Sequence, residues 1–297
     1  MMTFLVDTLL QASNLMLVTL GLSAVYALVR FPNLAQVEYA TAGAFISLGL
    51  ATLGLPIWLA VVASAGLTGT LAVALHRTVF RRLLRRSPVI AMIGSFAAGM
   101  LIRSVIQLLA GTRSFRFDLP IESPHLIWGA AITTMQLLLM VSIVVILVLF
   151  FLVLYGTTLG RSMRAVATQP ELARACGINA NRVTEYIGFL GGAFAAIGGA
   201  FLAIGSQVHF NLGQDMLLPV FAAAIVGGLG SPLGAVFGVL AIALVQTVVT
   251  NVNFGFLVGG GFLYVPFSYG PAAAFALLIL TLIFRPNGLF FREAKRV

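Results

Sequence analysis

The chain has 297 residues, of which 60% are hydrophobic and only 8% charged, with a mean hydropathy of +1.08. Soluble domains carry about 25% charged residues, so this composition excludes a water-soluble globular fold and indicates an integral membrane protein. The net charge of +9 is not the footprint of nucleic-acid binding, because nearly all the arginines sit at the ends of apolar blocks, where membrane topology places them.

The apolar sequence comes in blocks close to the ~20 residues a helix needs to cross hydrocarbon, not in alternating ten-residue strands. The expected fold is therefore an all-α polytopic membrane protein with eight to ten transmembrane or broken helices. The first span is expected at about 9–29, ending at Arg30, and the second, rich in Ala, Gly and Thr, at about 34–55. A third at about 56–75 runs into a cluster of Arg77, Arg81, Arg82, Arg85 and Arg86, and a fourth covers about 88–110. The polar segment after it balances Arg113 and Arg116 against Asp118 and Glu122. The fifth span, about 132–155, is the most lipid-like, and a sixth is expected at about 184–204. Residues 217–226 are too short to cross alone before the glycine-rich break at 227–234. Residues 236–250 continue, and about 271–284 form the last span.

Alternating these spans puts Arg30 and the segments 76–86, 156–183 and 285–297 on one side, with fourteen of the 17 cations. The positive-inside rule makes that side cytoplasmic, with the N-terminus outside and the C-terminus inside. No cationic region precedes the first apolar block, so no cleaved signal peptide is expected. The single cysteine, Cys176, excludes a disulfide framework.

The longest interior polar interval is 160–183, GRSMRAVATQPELARACGINANRV. Thr168 can cap a helix, Pro170 suits its first turn, Glu171 closes the box, and Gly177 supplies a left-handed stop. Leu172, Ala173, Ala175, Cys176 and Ile178 are too small or too apolar for a wholly solvated face. The segment reads either as a loop stapled to its own protein or as a docking helix for a soluble partner.

Within the spans, three polar or irregular places are candidates for a translocation pathway. Asn33, Gln36, Glu38, Thr41 and Gly43 open the second span, although Glu38 reads equally as an interfacial carboxylate near Arg30. Arg103 lies fifteen residues into its span, where a charge is costly and faces a bundle interior or water; it is also near enough to the outer end to snorkel. Gly227, Gly228 and Gly230 break the helix at 227–234, a device of transporters and equally of tight packing. The segments 33–49 and 217–238 hold loosely corresponding places in the two halves, a hint of a degenerate two-half repeat. No phosphate-binding loop, hydrolase elbow or metal-ligand spacing is present, and His76, His125 and His209 are isolated. A conduit is expected, not an intramembrane enzyme.

The interval 160–183 resembles the cytoplasmic loop of permease subunits of branched-chain amino-acid ABC importers, through Gly160, Arg164, Ala165, Ala173, Gly177, Ile178 and Asn179. Asn33-Leu34-Ala35-Gln36 with Gly43-Ala44 is similar to that family's N-[FL]-A-H-G stretch. The glycine-rich break resembles its broken helix, and Arg285-Pro286-Asn287-Gly288-Leu289-Phe290 its C-terminal motif. The likeness covers about the whole chain and is nearer the shorter of the two paired permeases. Gln36 and Val37 depart from the family's His-Gly, and Glu38 follows, which bears on solute preference. The resemblance implies one transmembrane permease domain over 1–297 with a cytoplasmic docking loop at 156–183, in a bacterial inner membrane. It further implies a heterodimer with a second permease, two cytoplasmic ATPase subunits holding ATP and Mg, and a periplasmic solute-binding protein, with no cofactor in this chain. Docking would fall to Arg161, Arg164, Ala165, Glu171, Ala173, Arg174, Gly177 and Ile178. The alternative is a stand-alone channel for a small neutral solute such as urea or an amide.

Overall fold

A computed structural model describes residues 2–119, 125–127, 130–252, 265–285 and 288–290. Among the described residues, six helices are long and apolar enough to span a membrane. They are α1 (Met2–Val29), α3 (Ile57–Leu75) with its extension α4 (Arg81–Leu84), α5 (Pro88–Ala110), α6 (Thr134–Gly156), α9 (Ala180–Gly205) and α11 (Pro232–Asn251). Two further apolar helices are shorter, α10 (Leu212–Gly227) and α12 (Gly270–Phe284), as is the more polar α2 (Gln36–Thr52). At 1.5 Å per residue their 16, 15 and 17 residues reach about 22–26 Å, less than the ~30 Å hydrocarbon core. A small antiparallel hairpin pairs His125–Ile127 with Ala130–Ile132. The expected polytopic all-α architecture is therefore the observed one, and the fourth span begins and ends at α5. The Gly- and aromatic-rich stretch at 253–264 and the tail at 291–297 lie outside the described residues.

Helix α9 is the central element, packing on α1, α2 and α3. Lipid offers no hydrophobic drive for helix pairing, so close backbone approach through small residues supplies the contact. A Cβ on Gly199 would run into the Ala40 backbone, and one on Gly192 would meet Ala72 and the Thr68 carbonyl. Gly43 likewise lies against Ala196. Helices α5 and α6 are peripheral and turn Leu108, Leu109, Val144 and Leu152 outward, as lipid-facing helices do.

One end of the bundle gathers the arginine-rich elements. Arg30 at the end of α1 donates to the Ala167 carbonyl at 3.1 Å, and Arg77 pairs with Glu185 at the start of α9. The helix of α3 and α4 is continuous but contains a π-helical turn, His76–Phe80. Beyond α1, Arg30 takes φ 53, and the chain turns back along the bundle as non-helical residues. Helix α2 thus begins level with Gly21 and Gly191, well inside the bundle, instead of at its surface.

The expected break at 227–234 is a tight turn between antiparallel α10 and α11. A Cβ on Gly234 would strike the Gly227 carbonyl, and one on Gly238 the Ala223 carbonyl. Gly228 and Gly230 take φ of 100 and 86, and Gly230 lies against Ala27 at the end of α1. The turn therefore belongs to the arginine-rich end, and the Leu289 and Phe290 amides donate to Val226 and Gly227 there. Ser231 caps α11, accepting from the Gly234 amide.

Candidate functional site

Two regions hold the residues expected to carry function: a polar cleft at membrane depth and the helical loop at the arginine-rich end. The cleft is built where the start of α2 meets α5 and α10. Asn33 accepts from the Ala35 amide, and the Leu34 amide donates to Ser95 on α5 at 3.0 Å. Gln36 reaches across to donate to the Gly191 carbonyl at 2.8 Å, which fixes α2 on α9. Two residues on, Glu38 is 7% exposed and accepts from Thr41 at 3.1 Å. Thr41 in turn accepts from the Gly213 amide at 2.9 Å, one of the N–H groups that the first turn of α10 leaves without a helical partner.

Glu38 and Arg103 share a cavity of about 120 Å³ with Phe96, Gly99, Gln214 and Leu217. Gly99 leaves room beside the Glu38 methylenes, where a Cβ would come within 3.2 Å. Among the described residues the ion pairs are Arg77–Glu185 and His209–Asp215, so the two charges in this cavity face one space unjoined. The structure thus brings Glu38, Thr41 and Arg103 together, with Asn33 and Gln36 bracing α2 behind them. Gly43 packs on α9, and Gly227, Gly228 and Gly230 lie away in the α10–α11 turn, lining none of this cavity.

At the opposite end from the arginines, two larger clefts of about 470 and 580 Å³ lie among α1, α9 and α11. Gln11 and Asn14 line both, Asp7 one of them, and Gln246 the other. These residues were passed over by sequence reasoning, yet Asp7, Gln11 and Asn14 follow a spacing of i, i+4, i+7 that marks one helix face.

The loop holds two helices where one was expected, α7 (Thr158–Thr168) and α8 (Pro170–Ala175). Thr157 caps α7 by accepting from the Gly160 amide. Thr168 ends that helix, its hydroxyl turned back to the Arg164 carbonyl, so it does not cap α8; Gln169 holds that position without a side-chain bond. Gly177 takes φ 83 as the expected stop, and the Ile178 amide donates to the Ala173 carbonyl at 3.0 Å. Arg164 donates to the Leu154 carbonyl and lies over the Tyr155 ring at 5.2 Å, so it braces α7 on α6. Ala173 is buried, and Ala165 and Ile178 are half-buried against the bundle. Arg161, Glu171, Leu172, Arg174, Cys176 and Gly177 are exposed. Arg174 also borders a cleft of about 650 Å³ with His76, Arg81 and Arg85.

Short and long apolar helices around a small-residue core, a charged cleft at membrane depth and an amphipathic helical loop at one end define a multi-pass membrane permease. Comparison with known families is consistent over nearly the whole chain: residues 4–285 match the model described as branched-chain amino acid transport system / permease component. The chain belongs to that family. It is 28% identical to the high-affinity branched-chain amino acid transport system permease protein BraD of Pseudomonas aeruginosa, over 99% of this chain and 97% of BraD. Its identity to the corresponding permease LivH of Escherichia coli is 26%, over 96% of this chain and 94% of LivH. A probable branched-chain amino acid transport permease of Methanocaldococcus jannaschii is 29% identical, over 97% and 92% of the two chains.

Proposed function

We propose that this chain is the membrane-spanning permease subunit of an ATP-driven importer for branched-chain amino acids or a related small amphipathic solute. It would sit in a bacterial inner membrane with its N-terminus outside and its arginine-rich end in the cytoplasm. The partners are a second permease, two ATPase subunits that hold ATP and Mg, and a periplasmic solute-binding protein. The observation that carries this reading is α8. A six-residue helix with no span of its own presents Glu171, Leu172 and Arg174 to solvent at the arginine-rich end, while Ala173 ties it to the bundle. Such an element can hand a push from a soluble motor to α9 through Ala180 and Val183, both buried. The ends of α1, α3 and α9 meet beside it, so displacement there reaches the bundle core.

The test is purification of the tagged chain from native membranes in mild detergent, with identification of the co-purifying subunits. Two ATPases and a second permease are expected. Recovery as a lone oligomer across several detergents would sink the importer reading in favour of a stand-alone channel.

A further inference from the structure

Ionisable groups inside a membrane domain are costly, and they persist where they face a wet cavity or a charged ligand. In this cleft the carboxylate of Glu38 and the guanidinium of Arg103 have opposite signs, sit on different helices and line one cavity without forming an ion pair. Asp215, the other nearby carboxylate, is held by His209 at 2.9 Å. Glu38 keeps three of its four lone-pair sites after accepting from Thr41. The open side of the cavity is apolar, with Phe96 and Met100 half-exposed and Leu217 beside them. Two separated opposite charges next to an apolar wall complement a molecule carrying an ammonium, a carboxylate and a hydrocarbon side chain on neighbouring atoms.

We propose that Glu38 and Arg103 are the two poles of a low-affinity site for a zwitterionic amino acid on its way through the membrane. The ammonium is received at the Glu38 carboxylate and the carboxylate at the Arg103 guanidinium, while Phe96, Met100 and Leu217 lie along the side chain. The proposal rests on the importer reading and deepens it, because a neutral solute such as urea or a sugar could hydrogen-bond to these groups but would neutralise neither charge. The cavity is too small to enclose such a molecule, so the hydrocarbon side chain lies along its open apolar side.

The test uses the complete importer in proteoliposomes, reading tritiated leucine uptake per ATP hydrolysed. Glu38→Gln keeps the Thr41 hydrogen bond and removes the charge; Arg103→Gln removes the other pole, and Arg103→Lys retains it. Each neutral variant is expected to lower uptake per ATP about tenfold, the loss of one charge-assisted contact, with Arg103→Lys close to wild type. Unchanged uptake in both neutral variants overturns the site. Should either fail to assemble, the wild-type complex without binding protein decides. There 3-methylbutylamine and 4-methylpentanoate, each with one pole, are expected to displace bound leucine about tenfold less well than leucine itself. Equal displacement by either overturns the proposal. A wild-type importer that moves sugar or urea but no amino acid would overturn the solute reading itself, a different result from leucine uptake indifferent to both poles.

Discussion

The Gly213 amide and the Thr41 hydroxyl, 172 positions apart in sequence, meet at 2.9 Å and lock the first turn of α10 to the middle of α2. The same hydroxyl donates to Glu38, so one side chain satisfies an orphan helix amide and orients a buried carboxylate. Thr41→Val keeps the shape and deletes both bonds. Hydrogen bonds between membrane helices are worth about 0.6–2 kcal/mol, so the thermal midpoint in detergent should fall by a few degrees. Thr41→Ser should hold near wild type, and equal midpoints for Val and Ser would show the relay to be ornamental.

The α10–α11 turn depends on absent side chains. Gly238→Val would place methyl groups into the Ala223 carbonyl and should abolish the monodisperse peak in detergent gel filtration. Gly188→Ala on α9 meets no atom within 4 Å and should elute as wild type. Its midpoint should rise slightly, since alanine is favoured over glycine in a helix by up to about 1 kcal/mol.

The exposed and buried faces of α8 separate docking from folding. Leu172 is 59% exposed, and Leu172→Asp should leave the melting curve in place while lowering co-purified ATPase about tenfold. Ala173, 4% exposed, behaves oppositely. Ala173→Leu overfills a packed site, a change that costs about 1–3 kcal/mol, and the melting curve should move down. If Leu172→Asp retains its ATPase, docking lies elsewhere.

At the end of α8, Gly177 holds φ 83 with open space around it, so only backbone conformation resists substitution there. Gly177→Ala should cost about 1–2 kcal/mol and loosen the loop. The readout is the rate of tryptic cleavage after Arg174 and Arg182, faster in the alanine variant and intermediate in Gly177→Asn, because asparagine tolerates the left-handed region better.

Much of this architecture can be read from the sequence because bilayer thickness and arginine placement act on local composition. The lengths of α5 and α6 and the stop at Gly177 follow from residues within a few positions of each other. The depth of α2 does not, since it depends on Arg30 reversing the chain and on Gln36 finding the Gly191 carbonyl 155 residues away. For the same reason glycines at 227–230 read equally as a pathway break or as tight packing until Gly234 and Gly238 are seen opposite them. Glu38 and Arg103 stand out singly as charges among apolar residues, but that they share a cavity is a property of how α2, α5 and α10 converge. Nor does the composition of α8 say that Ala173 points inward and Leu172 outward.

The π-helical turn at His76–Phe80 accommodates one residue more than an α-helix would over the same rise. Each α-helical residue advances the chain by about 100° around its axis, so an unrelieved insertion would swing everything after it to another face. Here the extra residue is absorbed locally, and Arg81, Arg82 and Arg85 keep the aim they would have in a helix one residue shorter. Loss of a single residue from 76–80 is thus the length change this span tolerates without re-aiming its arginines. The same loss in the middle of α3 would turn either its glycine seam or its charged end out of register with α9.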